Sequence, residues 1–519
     1  MNPKSAEAQY ISLESDRHPF LNRARDASKL TLPYLMPEDG HNAHTRLDTP
    51  FQGVGARGVN NLASKLLLAL LAPNAPFFRL NFDQHVLRQE GATEDIIGEM
   101  ESALQKVEES VMEEVSRQSY RVGIHEALKH LIVTGNSLLY LPEEGGLRIF
   151  HLDRYVVKRD PMGNPLKIIT KETLSYDTLS DELKAAASVE EGASPDKDCE
   201  LFTSVCLYGD DWVVHQEIKG TIVEGSEGTF KKDKSPYIPL RFSKIDGEDY
   251  GRGYVEEYLG DLISLEKLTQ AIVEGSAAAA KVLFLVNPNG TTRAKTLAES
   301  PNGAITQGNA ADVSVLQLDK FNDFRIAGET ISAIKDRLGH AFLLTSGVVR
   351  NAERVTAEEI RMVTMELESA LGGLYSLLSN ELQLPMVNRV MDVMGKKKQL
   401  PKLPKDLVTP VIITGIEALG RGNDLQKLDL FLAGAAQVVG PQAIQQYVNV
   451  EEYFKRRATS LGIKTQGLVK TQEEIQQEMQ QAQMMSMAEK VAPQGAAAMG
   501  NITRDAMAPS EEEEAAVEQ

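Results

Sequence analysis

The chain has 519 residues, a formal net charge of −19 at pH 7, 42% hydrophobic residues and 25% charged residues. This length exceeds that of one ordinary hydrophobic core, so three or four cooperating regions are expected. The acidic charge argues against a protein that grips nucleic acid through a general basic surface. The charge is compatible with a passage along which DNA slides, because each phosphate that a basic residue neutralises adds affinity and so slows the DNA. Solubility alone explains the charge equally well.

The apolar and sulfur-containing residues predict a soluble protein of a reducing compartment. The longest apolar run, Leu66 to Ala72, is too short to cross a bilayer, and the N-terminal segment has no apolar signal core. The chain contains two cysteines, Cys199 and Cys206. Because they are seven residues apart in a strand-rich segment, they are expected on opposite faces, as buried and unpaired thiols.

Three glycines near the start of the chain imitate a nucleotide-binding motif. Gly53, Gly55 and Gly58 form the pattern G-x-G-x-x-G and run into an apolar helix. A dinucleotide-binding turn needs a strand before the first glycine and an acidic residue about twenty positions later, and the sequence provides neither. We therefore expect a helix start whose small residues let another backbone pack closely. An NAD-linked enzyme using Gly53–Gly58 is the alternative.

Residues 1 to 150 are predicted to be mainly helical, and strands then take over. One amphipathic helix is predicted from Ile97 to Ser116, and another from Val122 to about Gly135. The apolar stripe of the first helix comprises Leu104, Val107, Val111 and Val115. The predicted strands are Leu138–Leu141, Leu147–Phe150, Tyr155–Lys158, Leu166–Thr170, Leu201–Leu207 and Trp212–Ile218, with turns at Asp160–Pro165 and Gly209–Asp211 and a polar insertion at 176 to 199.

Two helices that enclose a short loop domain come next. A long helix is predicted from Tyr254 to about Val286, with small residues from Gly275 to Ala280 that let a neighbouring helix come close. Residues 291 to 318 are expected to protrude as a loop domain with one short strand, Val313–Leu316. The second helix, Asp323 to Leu344, has a heptad seam that suits packing on the first helix or between subunits. The seam consists of Phe324, Ala327, Ile331, Ile334, Leu338 and Ala341.

The last third of the chain begins with a loop and a capped helix. Thr356 and Glu359 form a capping box that opens the longest predicted helix, which is interrupted at Gly372-Gly373 and at Pro385 and ends near Met394. A linker with two prolines follows. A smaller helical region and a low-complexity tail rich in Gln, Met, Ala and Glu are predicted after it.

Signals of metal or cofactor chemistry are weak throughout. His125 and His130 resemble the helix of a zinc protease, but they are five positions apart rather than four and leave the shared face. The segment Asp246–Gly251 approaches a calcium loop, yet Tyr250 occupies a ligand position. A solvated loop is the better explanation of two further histidines, His41 and His44. We expect no metal, no cofactor and no enzymatic activity.

Several long blocks resemble the portal, or head-to-tail connector, proteins of short-tailed, podovirus-type bacteriophages. The blocks are, in order, TPFQGVGARGVNNLASKLLLALL, SPYIPLRFSKIDGEDYGRGYVEEYLGDLISLEKL, RVTAEEIRMVTMELESALGGLYSLLSNELQLP and TGIEALGRG. The resemblance extends from about Ala24 to Gly467 and is weakest in the polar insertion at 176 to 199 and in the tail. Another ring component of the tail is the non-enzymatic alternative.

The resemblance implies an α+β, mainly α portal fold that assembles as a ring, probably dodecameric. Its parts would be a wing of helices and β-hairpins (1–253), stem helix 1 (254–286), a clip (287–322), stem helix 2 (323–344), a tunnel loop (345–355), a long kinked wing-to-crown helix (356–394), a linker (395–409), a helical crown (410–470) and a low-complexity acidic tail (471–519). Twelve inner helices, each ~10 Å wide, would enclose a circle ~38 Å across between axes and ~28 Å clear, which admits a DNA duplex.

The resemblance also implies a function, partners and sites. The ring would be the portal vertex of the virion, formed in the host cytoplasm during assembly, and the channel for packaging and ejecting double-stranded DNA. Its partners would be further copies of the chain, the terminase, the tail adaptor protein, the scaffold and major capsid proteins and internal core proteins, with no membrane. Val348, Val349, Arg350, Arg354 and Lys335 would face DNA in the channel. Arg293, Lys295, Asn302 and Gln307 of the clip would dock the motor and then the tail.

Overall fold

A computed structural model describes residues 5–41, 44–72, 76–82, 94–187, 198–279, 283–316, 321–344, 369–401, 408–412 and 429–435, with single positions at 362, 365, 367, 437, 453 and 454. The chain divides into two units, Met1–Ala418 and Leu419–Gln519. In the second unit, residues 429–435 are helical, and the Tyr453 hydroxyl donates a hydrogen bond to Asp429 at 2.6 Å. The elements that follow belong to the first unit.

Helices contain more of the described residues of the first unit than strands do. They are α1 (Ala6–Lys29), α2 (Val54–Leu70), α3 (Glu94–Arg117), α4 (Tyr120–Thr134), α5 (Asp181–Ala187), α6 (Tyr254–Glu257), α7 (Leu259–Ala279), α8 (Ala294–Glu299), α9 (Phe321–Ala341), α10 (Leu374–Leu378) and α11 (Leu384–Lys396). A π-helical segment, Ser379–Gln383, joins α10 to α11. Within the described residues, no helix is long and apolar enough to cross a membrane.

The described residues also form four antiparallel sheets. Their strands are β1 (Phe78–Phe82), β2 (Asn136–Tyr140), β3 (Arg148–Phe150), β4 (Tyr155–Arg159), β5 (Pro165–Ser175), β6 (Asp198–Tyr208), β7 (Asp211–Ile218), β8 (Thr221–Ile222), β9 (Gly228–Lys231), β10 (Tyr237–Arg241), β11 (Leu283–Val286), β12 (Val313–Leu316) and β13 (Val408–Ile412). The largest sheet has the order β4-β5-β6-β7-β8, with β9 also paired to β7. The others are β10-β2-β3, β1-β13 and β11-β12.

The main hydrophobic core joins helices that are far apart in the sequence. The apolar faces of α2, α3, α4, α7, α9 and α11 meet in one buried cluster. A second cluster lies where α1 packs on the large sheet, around Leu21, Tyr155 and Trp212. The helices that carry the predicted stem are thus continuous in packing with the helical part of the predicted wing.

Several predicted elements are confirmed. The stripe of Leu104, Val107, Val111 and Val115 on α3 is buried. Helix α4 ends at Thr134, and Gly135 caps it with φ +76°, a left-handed conformation that glycine adopts without strain. Strands β4 and β5 are joined by the predicted turn, and β6 and β7 by the predicted hairpin loop. Both cysteines are buried and free.

The first predicted stem helix differs from the structure at both ends. A break at Tyr258 separates the short α6 from α7, and α7 ends at Ala279 rather than near Val286. The remaining residues, Leu283–Val286, form β11, which pairs along its length with β12. Large apolar residues that meet a matching strand favour an extended ladder over one further helical turn.

Strand β13 corrects the expected start of the helical crown. Residues 408–412 are extended and pair with β1, with Val408 opposite Phe82 and Ile412 opposite Phe78. The β-branched residues Val408, Thr409, Val411 and Ile412 favour a strand. Neither this strand nor β1 was predicted. The capping box of Thr356 and Glu359, and nearly all of the predicted crown and tail, lie outside the described residues.

The interruption predicted at Gly372-Gly373 is confirmed. Residues 369–371 are helical, Gly372 has φ +42°, and helix resumes at Leu374. Pro385 is the second residue of α11, directly after the π-helical segment, and the backbone stays helical through it. The widened π-helical turn directly before it carries Glu381, which accepts hydrogen bonds from Arg241 of β10.

Candidate functional site

Two contacts fix the relative direction of α7 and α9. Gly275, near the end of α7, lies against the ring of Phe324 near the start of α9, so that a Cβ at position 275 would be 2.7 Å from the ring. At the opposite end, Arg337 of α9 donates a hydrogen bond to Asp261 of α7 at 2.7 Å. The helices are therefore antiparallel, with the β11-β12 hairpin beyond the Gly275 end.

Lys335 lies on the exposed side of α9. Ile331, Ile334 and Leu338 of the same helix are buried against the core, as their heptad spacing predicts. The solvent face between them carries Lys335 and Arg337, and within the described residues no carboxylate lies within ion-pair distance of Lys335. Its position is compatible with the predicted role in the channel.

An aspartate organises the loop beyond β11. Oδ2 of Asp312 accepts hydrogen bonds from the backbone N–H groups of Thr291 at 2.8 Å and Thr292 at 3.1 Å. It also accepts from both threonine hydroxyls at 3.2 Å. These bonds, led by the one from the Thr292 N–H, hold the pKa of Asp312 below its usual value. The carboxylate thus pins the first turn of the loop to the base of β12.

All four predicted docking residues lie on this distal loop and are exposed. Arg293 precedes α8, Lys295 lies within α8, and Asn302 and Gln307 follow it. Lys295 stands 3.9 Å from Glu299 in a highly exposed pair, which leaves it accessible. Large apolar side chains are exposed in the same region, namely Phe284, Leu285 and Ile305. The loop therefore offers cations, amides and apolar groups together.

Helix α2 anchors the end of α9, directly before the predicted tunnel loop. Gly58 lies against Phe342, and a Cβ at position 58 would be 2.5 Å from Cγ of that ring. Asn61 donates to the carbonyl oxygens of Phe342 and Leu343, each at 3.0 Å. The ammonium group of Lys65, which is fully buried, donates to Leu343 O at 3.0 Å.

These donors satisfy carbonyl groups that a helix C-terminus leaves without partners, and a cation is favourable there. Sequence analysis missed Asn61 and Lys65, although a lysine on an otherwise apolar helix face signals a specific partner. The other predicted channel residues, Val348, Val349, Arg350 and Arg354, lie outside the described residues.

A buried ion cluster ties the π-helical segment to the sheets. Glu381 accepts hydrogen bonds from the backbone N–H of Arg241 at 3.0 Å and from its Nε at 3.1 Å. Arg159 approaches the same carboxylate at 3.8 Å. Burial lowers the pKa of Arg159 to about 10, so its guanidinium group stays charged at neutral pH and needs this counter-charge.

The nucleotide-binding alternative is not supported. No strand precedes α2 in residues 44–53, which the structure describes in full. Gly55 lies against the backbone carbonyl of Leu30, and Gly58 lies against Phe342. The small residues therefore serve close packing, as expected, and the space that a pyrophosphate needs is filled by protein.

The sequence-derived metal candidates also find structural explanations. Asp249 accepts from the Arg159 backbone at 2.7 Å and pairs with Lys158, while Tyr250 is buried and its hydroxyl accepts from Val157 N–H. His125 hydrogen-bonds Ser64 at 3.2 Å.

The structure instead brings together Glu126, His130 and His151. Burial, followed by the nearby His151 and Lys129, lowers the pKa of His130 to about 3, so the ring is neutral.

Comparison with known proteins identifies the class to which this antiparallel helix pair and distal hairpin belong. The chain belongs to the family of bacteriophage head to tail connecting proteins, which its residues 3–469 match. It is 42% identical over 514 residues to the portal protein of Escherichia phage T7, with 97% of this chain and 96% of that protein covered. It is 41% identical to the portal protein of Enterobacteria phage T3, with 96% of this chain and 94% of that protein covered. It is 33% identical to the portal protein of Enterobacteria phage SP6, with 90% of each chain covered.

A solved structure is also similar to the chain. It is the neck of a native gene transfer agent particle, with a TM-score of 0.36 and 11% sequence identity over 79% of this chain and 90% of that chain. The resemblance seen in the sequence is confirmed by the family match and the portal relatives. The chain is a component of the virion's portal vertex at the head-to-tail connection, and it serves DNA packaging.

Proposed function

We propose that twelve copies of the chain form the ring and that double-stranded DNA passes through its centre during packaging and ejection. In this arrangement α7 and α9 form the stem, residues 287–322 the clip, and residues 1–253 the wing. The observation that carries the proposal is the antiparallel pair of helices with a hairpin domain at its far end, in a chain that matches the connector family over residues 3–469.

The tunnel loop, residues 345–355, acts as a valve on DNA. Val348, Val349, Arg350 and Arg354 contact the duplex there, and Lys335 does so along the stem. Support comes from the root of the loop, where Asn61 and Lys65 hold the last carbonyl groups before it. A loop with a rigid root transmits force from its tip to the body of the ring, as a brake on a moving polymer requires.

The clip docks the terminase during packaging and the tail adaptor protein afterwards. Arg293, Lys295, Asn302 and Gln307 supply the polar contacts, and the exposed Phe284, Leu285 and Ile305 supply apolar area. Arginine and large apolar side chains are typical of interface cores. Scaffold, major capsid and internal core proteins contact the wing and crown. The chain itself has no catalytic part, since the motor supplies the work.

Charge reversal in the clip tests the docking assignment. The double variant Arg293→Glu with Lys295→Glu should still form rings, because both side chains are exposed and neither supports the core. Packaging by purified terminase into heads that carry the variant should fall strongly. Lys106→Glu, an exposed reversal on α3, is the matched control and should package normally. Normal packaging by the double variant would contradict the assignment.

A further inference from the structure

Three side chains with metal-binding atoms meet between α4 and the end of β3, apart from the stem and the clip. Glu126 and His130 lie one turn apart on the same face of α4, and His151 directly follows β3. One carboxylate oxygen and one nitrogen of each imidazole all lie within 4.8 Å of one another. This places side chains from two distant parts of the chain around one point.

The environment of His130 is a second, independent observation. Its side chain is fully buried. Among the residues that the structure describes, neither Nδ1 nor Nε2 of His130 has a hydrogen-bond partner. Its ring lies 4.5 Å from that of His151, centroid to centroid, at an angle of 45°. Buried polar groups are normally satisfied, so this ring has a lone pair available to a ligand.

The exposed carboxylate of Glu126 indicates what that ligand can be. It lies beside the two imidazoles and supplies the negative charge that a bound cation needs. A metal ion that takes nitrogen ligands can use both imidazoles and the carboxylate together.

The donor set identifies the class of metal. Two imidazoles with one carboxylate form a frequent three-residue zinc site with one open position, whereas calcium and magnesium prefer oxygen ligands alone. Zinc–ligand bonds of about 2.0–2.1 Å put neighbouring tetrahedral ligands roughly 3.4 Å apart. Since the donor atoms all lie within 4.8 Å of one another, no pair needs to move closer by more than about 1.4 Å.

We propose that Glu126, His130 and His151 bind a divalent zinc-class metal ion, which fastens α4 to the end of β3. The fourth position is open to solvent on the Glu126 side, and a water molecule completes the site. Because α4 packs in the main core and β3 belongs to the β10-β2-β3 sheet, the ion cross-links these two layers. The inference is independent of the channel and of the clip.

Metal titration of the untagged full-length protein, after dialysis against a chelator, tests this assignment. Zn²⁺ is titrated by calorimetry, and Co²⁺ is added to record the visible absorption of a tetrahedral nitrogen and oxygen site. The ligand variants are Glu126→Gln and His151→Ala, and the control is His18→Ala, which removes an exposed histidine of α1. Circular dichroism confirms that each variant is folded.

We expect one tight zinc site per chain, a rise in melting temperature with zinc, and a Kd at least about tenfold weaker in each ligand variant. His18→Ala should bind like the unmodified protein. Because Glu126 is exposed, Glu126→Gln keeps the test open even if a substitution at His151 prevents folding. Zinc binding that is unchanged in a folded ligand variant, or no zinc binding at micromolar concentrations, would overturn the proposal.

Discussion

At the scale of single residues, α2 shows why a helix can hold small and charged side chains on a buried face. Gly58 makes room for Phe342, while Asn61 and Lys65 satisfy the carbonyl groups at the end of α9. Each residue serves a partner almost three hundred positions away. The glycine pattern that imitates a nucleotide motif is thus explained by tertiary packing. A local motif search does not distinguish glycines that allow close packing from glycines that bind a nucleotide.

Substitution of Gly58 tests this contact. Gly58→Ala places a methyl group against Cγ and Cβ of Phe342, a buried residue directly after α9 whose Cβ moves only with the backbone. We expect the free energy of unfolding to fall by roughly 1–3 kcal/mol, measured in urea at one protein concentration. Gly328→Ala is the control, because open space surrounds that position of α9 and alanine favours the helix by up to about 1 kcal/mol. Equal effects of the two changes would contradict the packing argument.

The buried ion cluster gives a second residue-scale prediction. Glu381→Gln removes the counter-charge of Arg241 and Arg159, both of which are buried. Removing one partner of a buried ion pair costs about 3–5 kcal/mol, and the slight exposure of Glu381 puts the expected loss at the lower end. Glu299→Gln, in an exposed pair with Lys295, should change stability by less than about 1 kcal/mol. Thermal or urea unfolding of both variants measures the two losses of stability. Equal losses would contradict the role of Glu381 as a buried counter-charge.

At the scale of elements, the distal loop depends on a single carboxylate. Asp312→Ala removes the acceptor of the bonds from Thr291 and Thr292, so hydrogen exchange in residues 287–293 should accelerate while exchange in α7 and α9 is unchanged. Because the pKa of Asp312 is lowered, its carboxylate is charged, and the bonds persist, at any pH above the usual range of aspartate. Asp211→Ala, which loses one exposed pair, is the control. Unchanged exchange in the loop would refute this role.

The elements that sequence patterns predicted best are those whose pattern reflects local geometry. The stripe on α3, the glycine end of α4 and the β6-β7 hairpin follow from periodicity and turn chemistry alone. Strands β11 and β13 were missed because each depends on a partner that is distant in sequence. Neither Leu283–Val286 nor Val408–Ile412 alternates regularly between apolar and polar residues, so periodicity alone does not mark them as strands.

The candidate sites show the same division. The clip docking residues were predicted through family resemblance and remain a prediction, whereas their exposure follows from a polar loop. The metal cluster was missed because the search for ligands on α4 compared His125 with His130. These two residues are five positions apart and do not lie on the same face of the helix. The pair that shares a face is Glu126 with His130, and the third ligand, His151, comes from another element. Sequence spacing indicates two ligands on one helix, but only the fold brings in the third.

At the scale of the whole molecule, the proposed valve depends on the assembled ring. A symmetric ring repeats each loop residue in every subunit, so a single arginine becomes a circle of positive charge around DNA. The double variant Arg350→Ala with Arg354→Ala should assemble into rings and package a normal final amount of DNA. Filled heads that carry it should then lose their DNA faster. Arg325→Ala, an exposed residue of α9 paired with Glu329, is the control. Retention equal to that of the unmodified protein would show that the loop is not the valve.

The ring itself is the centre of the account, and electron microscopy of the purified full-length protein tests it most directly. A continuous passage for DNA requires that many copies close around an axis, with stem and clip narrowing to one end. We predict rings of twelve subunits with a central hole and a narrow stem. Compact monomers or dimers at all protein concentrations would contradict the proposed channel.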